Sequence, residues 1–168
     1  MRNPDEHEYM RRVVVPLFLL ILFFLFPLQV FIIGDGTGIG IQGAVYRYQV
    51  TGYGNSLIPV TTEIMYIVNG NYSGKTALSV ILWALGSVLL TLTTWFGLVY
   101  ADGSIPDYHR QVGLGLAGSC VCYLLSCIAQ YGIFFHGSAG SSLPVGIGII
   151  VVWLGIFRFF PGIFLNSA

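Results

Sequence analysis

The chain has 168 residues, of which 55% are hydrophobic and only 8% charged, and its formal net charge is zero. An ordinary soluble domain carries about a quarter charged residues, so this chain cannot cover its apolar surface in water. Composition names the lipid bilayer as a partner, and the absence of a positive excess gives no case for nucleic-acid binding.

Arg2, Asp5, Glu6, Glu8, Arg11 and Arg12 all precede the first apolar run. Four nearly charge-free runs, 13–33, 76–100, 112–135 and 143–165, exceed the roughly 18 residues that mark a spanning helix. The first is too long for the apolar region of a secretory signal, and Phe31-Ile32-Ile33 offers no small-residue cleavage site. The expectation is an all-α polytopic membrane protein, a four-transmembrane-helix left-handed bundle forming one domain over 1–168. Arg2, Arg11, Arg12 and Arg110 fall on one side, with Arg158 toward it as a membrane anchor, whereas Arg47 and Lys75 fall on the other. The positive-inside rule then places both termini and the 101–111 loop in the cytoplasm, and the 34–75 loop and 136–142 turn outside.

The first run is bulky throughout from Leu17 to Phe26, and Pro27 predicts a kink in its outer third. It is expected at the periphery, against lipid or a partner. Glycines at 34, 36, 38 and 40 read as a flexible exit from it. Period-two alternation through Tyr46 and Tyr48, a turn cluster at Gly52-Tyr53-Gly54-Asn55, and a second alternating run through Ile64 and Tyr66 predict a β-hairpin over about 42–69. An isolated hairpin is marginal in water, so this one must lie against helix ends, gain strands or meet another chain.

Small residues recur at heptad spacing on the later runs: Ser79, Gly86 and Thr93; Gly115, Ser119, Cys122, Ser126 and Ala129; Gly148, Gly155 and Gly162. Lipid tails are as apolar as leucine, so close van der Waals contact along such seams is what holds membrane helices together. Gln29 and Gln130 are expected as interhelical hydrogen-bond partners.

No catalytic, cofactor or metal site emerges. Gly70 to Thr76 lacks the first glycine of a phosphate loop, because position 69 is Asn. Gly113, Gly115 and Gly118 lie within an apolar helix with no strand before them, so they cannot present backbone N–H groups to a dinucleotide. Cys120 and Cys122 point about 200° apart on a helix and cannot converge on one ion. No Asp or Glu falls within a span, which weakens a proton-coupled transporter. Asn71-Tyr72-Ser73 is an N-glycosylation acceptor sequence a few residues before the second span.

Four spans with a hairpin in the first external loop resemble the claudin and PMP22-like tetraspan class in topology, although this loop contains neither Trp nor Cys. The functional expectation is a non-enzymatic accessory subunit, or a protomer of a homo- or hetero-oligomeric membrane assembly. Tyr46, Tyr48, Ile64 and Tyr66 of the hairpin, with the first span, are expected to make its contacts. The alternative is a small channel or transporter with Ser79, Thr91, Thr93, Thr94, Ser119, Ser126 and Gln130 lining a polar path.

Overall fold

A computed structural model describes residues 24–100 and 108–148. Its largest feature is a six-stranded antiparallel sheet, which corrects the expectation of an all-α four-helix bundle carrying one hairpin. The strands are β1 (Gln29–Ile33), β2 (Gly38–Gln42), β3 (Tyr46–Thr51), β4 (Gly54–Pro59), β5 (His136–Gly137) and β6 (Gly140–Leu143), in the order β4-β3-β2-β1-β6-β5. Three helices lie wholly within the described residues: α1 (Val60–Val68), α2 (Gly74–Val99) and α3 (Tyr108–Tyr131).

The first correction lies at Pro27. Phe24 and Leu25 are helical, but the chain leaves the helix at once and Gln29 to Ile33 run as β1. Proline supplies no N–H to a helix and pushes the residue before it out of the α region, so the turn ends rather than kinks. Val, Phe and Ile then suit a pleated surface. The glycine exit closes a second hairpin, with β2 paired along the whole of β1. A Cβ at Gly40 would fall 2.3 Å from the Phe31 ring, so glycine is required there by packing.

The second correction is α1. Residues 60–68 alternate in hydrophobicity, yet they also repeat at helical spacing, and the helix wins because it turns Glu63 toward Arg47 on β3. Pro59 ends the edge strand and stands immediately before α1, where its missing N–H costs the helix nothing. Gly70, with φ at +75°, ends the helix in a left-handed turn whose N–H reaches Ile67 O. Of the hairpin expected over 42–69, β3 and β4 are two strands of the larger sheet. The 136–142 turn is itself a hairpin, β5–β6, and β6 pairs with β1.

Two helices, Gly74–Val99 and Arg110–Tyr131, are long and apolar enough to cross a membrane, so a tetraspan bundle is not what the described residues show. Of the other runs, 13–23 and 149–165 lie outside the described residues. Leu143 belongs to β6, and Val145 to Gly148 are helical. Helices α2 and α3 pack along their length. Ser79, Trp83, Gly86, Leu90, Thr93 and Gly97 of α2 are buried at alternating steps of four and three. On the opposite face Leu78, Ile81, Leu85, Val88, Leu92, Trp95 and Val99 form an exposed apolar stripe at the same spacing. A helix apolar on both faces suits a bilayer.

Candidate interaction surface

Alternation along a strand puts neighbouring residues on opposite faces, and cross-strand register then assembles each face. One face rests on α1, α2 and α3. Gln29, Phe31, Gly40, Gln42, Arg47 and Ser142 lie on it, linked by the pairs Gln29↔Gln42, Phe31↔Gly40, Gln42↔Arg47 and Phe31↔Ser142. This inner face is largely polar.

Its centre is the Arg47 guanidinium. Arg47 Nε and Nη2 donate to Gln42 Oε1 at 3.3 and 3.0 Å, and Nη1 lies 2.9 Å from Glu63 Oε1. Glu63 is fully buried, and among the described residues its charge is compensated chiefly by Coulomb attraction to Arg47, with the Tyr72 phenol beside it. The guanidinium also lies 5.6 Å from the ring centroids of both Phe31 and Trp83, within cation–π range. Tyr72 adjoins this pair. Its phenol is held above the usual tyrosine range, first by burial and then by the Glu63 charge.

From Arg47 the network continues toward α3. Gln29 Nε2 donates to Gln42 Oε1 at 2.7 Å, while Gln29 Oε1 accepts from Cys127 Sγ and Ser142 Oγ. Five polar side chains thus join β3, β2, β1, β6 and α3 through buried contacts. The sheet base is pinned to α2 as well: Trp83 Nε1 donates to Gly43 O at 3.0 Å, and Ser87 Oγ donates to Ala44 O. The cavity beside the network, lined in part by Gln29, Gln42, Ser126 and Cys127, measures about 10 Å³. That is the lower limit for one water and far too small for a substrate.

The outer face is the reverse. The pairs Leu143↔Val30, Val30↔Ile41, Ile41↔Tyr48 and Tyr48↔Leu57 form one apolar row across five strands. At roughly 4.8 Å per strand it is about 19 Å wide. Ile32, Ile39 and Val50 stand two residues farther out on the same face and are all exposed, as are Leu57 and Leu143. None of these side chains is charged. The sheet therefore turns its polar face into the protein and its apolar face out.

Of the expected contact residues, Tyr48 lies in the apolar row. Tyr46 is committed internally, its hydroxyl donating to Leu25 O at 3.1 Å and its ring covering Gly43. Ile64 and Tyr66 are on α1, on the other side of the sheet; Ile64 is exposed, and Tyr66 meets Tyr72 edge to face at 5.4 Å. Val30, Ile32, Ile39, Ile41 and Leu143 were not singled out from sequence, because their segments read as helix ends and a flexible exit. The alternation of Val30 with Ile32 and of Ile39 with Ile41 was the available signal.

Among the seam residues, Ser79 and Ser126 bond each other across α2 and α3: Ser79 Oγ donates to Ser126 O at 2.9 Å, and Ser126 Oγ to Ser79 O at 2.8 Å. A Cβ at Gly86 would fall 3.0 Å from the Tyr123 ring and 3.2 Å from Cys122 Cβ, and one at Gly115 would fall 2.1 Å from Thr93 Oγ1. Ser119 donates to Gly115 O, Thr91 to Ser87 O and Thr94 to Leu90 O, each within its own helix. Gln29 serves strands as well as α3, and Gln130 buries its oxygen without a partner among the described residues. A Cβ at Gly148 would meet nothing within 4 Å among the described residues. Gly155, Gly162 and Arg158 lie outside the described residues.

No group of three His, Cys, Asp or Glu among the described residues is placed to hold a metal. His136 Nδ1 instead pairs with Ser141 Oγ at 2.6 Å. No protein-family model, curated protein or solved structure matches this chain. The topological resemblance to the claudin and PMP22-like class gains nothing from these comparisons and loses its four-span basis.

Proposed function

We propose that this protein is a non-enzymatic membrane protein, an accessory subunit or protomer of an assembly, that meets its partner through the outer face of its sheet. The observation that carries this reading is the apolar row Leu143–Val30–Ile41–Tyr48–Leu57, lying on a sheet whose polar face is already buried. Water disfavours such a surface, and monomeric proteins seldom leave broad apolar patches uncovered. A second protein chain, of the same or another kind, supplies the cover.

The membrane is the proposed location. The sheet stands on the extracytoplasmic side, and the connection between α2 and α3 lies in the cytoplasm beside Arg110. Arg47 stands on the sheet side, where its ion pair with Glu63 compensates its charge in the folded protein. Lys75 remains as the exposed basic residue near the sheet.

A photo-crosslinking amino acid in place of Tyr48 tests the reading in native membranes. A discrete crosslinked product, absent when the same group replaces Gln49 on the inner face, supports it. Equal crosslinking from both positions, or none from Tyr48, removes it.

A further inference from the structure

We propose that Asn71 is an acceptor for an N-linked glycan; the proposal rests on the extracytoplasmic placement of the sheet. The acceptor sequence Asn71-Tyr72-Ser73 stands close to the start of an apolar run, a place where the membrane would hinder access. The fold removes that objection. The sheet base meets α2 at Trp83 and Ser87, through the carbonyls of Gly43 and Ala44. Helix α2 starts at Gly74, nine residues before Trp83, so its first turns rise about 14 Å alongside the sheet. Asn71 lies beyond that end.

The local structure also suits the modification. Asn71 is exposed, while its backbone is anchored by its N–H to Tyr66 O at 2.8 Å. Ser73 immediately precedes α2 but makes no side-chain cap, so its hydroxyl has no structural duty to lose. Between them Tyr72 turns inward against Tyr66 and Glu63. The segment thus half-buries its middle residue and presents both ends of the acceptor sequence. Because α1 packs on the inner side, through Glu63 and Arg47, a sugar on Asn71 leaves the outer apolar face uncovered.

In the transfer, the Asn71 side-chain nitrogen attacks the anomeric carbon of a polyprenyl-phosphate-linked oligosaccharide. The new C–N bond replaces the sugar–phosphate C–O bond, the lipid phosphate departs with the bonding pair, and the amide loses one proton to solvent.

The experiment is translation of the full chain into microsomes that carry oligosaccharyl transferase and its lipid-linked donor. The expected result is one upward mobility step that peptide N-glycosidase reverses. Asn71→Gln and Ser73→Ala should abolish it, and Ser73→Thr should keep it. Asp35→Asn, which completes an acceptor sequence with Gly36 and Thr37 at the distal tip of the β1–β2 hairpin, reports sheet orientation separately. An unmodified parent chain with a modified Asp35→Asn variant overturns the proposal and leaves the orientation standing. If neither is modified, the proposal and the orientation fall together.

Discussion

The two faces of the sheet invert the usual arrangement. A single-layer antiparallel sheet on a core ordinarily turns its apolar residues inward and its polar ones to water. Here Gln29, Gln42, Arg47 and Ser142 are inside, and Val30, Ile32, Ile39, Ile41 and Leu57 are outside. The inner face does not act by burying oil. It acts by satisfying a charged and hydrogen-bonded chain that links four strands to α1 and α3. The outer face has the composition of a core with no other described part of the chain upon it, and the proposed partner is what would cover it.

Breaking the inner face should have the largest effect. Arg47→Met leaves Glu63 buried without its counter-charge and should destabilise the fold by about 3–5 kcal/mol, whereas Arg47→Met with Glu63→Leu should recover most of that loss. Thermal unfolding in mild detergent reads both. Equal stability of the single and double variants would show that the uncompensated Glu63 charge is not the source of the loss.

The helix pair beneath the sheet comes next. Gly115→Ala drives a methyl into Thr93 and should cost about 1–3 kcal/mol, with partial recovery when Thr93→Ala is added. Unfolding midpoints in the same detergent measure this, and an unchanged midpoint for Gly115→Ala would mean that α2 and α3 are not closely packed there.

A smaller effect follows from Tyr72. Its phenol is held above the ordinary value of 10.0, so the folded state keeps the proton more tightly than the unfolded chain. The resulting stability is complete below that ordinary value and is lost as pH rises through the raised one. Alkaline unfolding of the parent protein should therefore steepen above about pH 10, and Tyr72→Phe should flatten it.

The outer face should show the smallest effect on stability and the largest on association. Ile39→Ser and Leu57→Ser should change stability by no more than about 0.5 kcal/mol, as exposed substitutions generally do. Each should weaken partner capture from native membranes. A large stability loss from either would mean that the face is packed within the chain rather than offered to another.

Much of this division was legible in the sequence, but at the wrong period. The α2–α3 seam showed itself as small residues at heptad spacing, since close helix approach leaves that mark directly in residue size. The turn at Gly52-Tyr53 and the strand through Arg47 also followed from local signals. β1 did not, because Val30 to Ile33 continue an apolar run and length alone cannot separate a helix end from a buried strand. The glycines of β2 concealed a strand, since Gly40 is there to accept the Phe31 ring across it. α1 was hidden because its apolar residues satisfy both periods; the contact that decides between them, Glu63 to Arg47, joins two different elements. The buried network was invisible for the same reason, as Gln29, Gln42 and Cys127 become neighbours only after the sheet forms.

Thiol labelling with a membrane-impermeant maleimide tests the two-face account most directly. It compares Ile39→Cys, on the outer face, with Gln42→Cys, on the inner face, against the protein's own Cys120, Cys122 and Cys127 as background. In purified protein Ile39→Cys should react and Gln42→Cys should not, and in native membranes Ile39→Cys should become protected by the partner. Reaction at position 42 in the folded protein, or undiminished reaction at position 39 in the membrane, would contradict it.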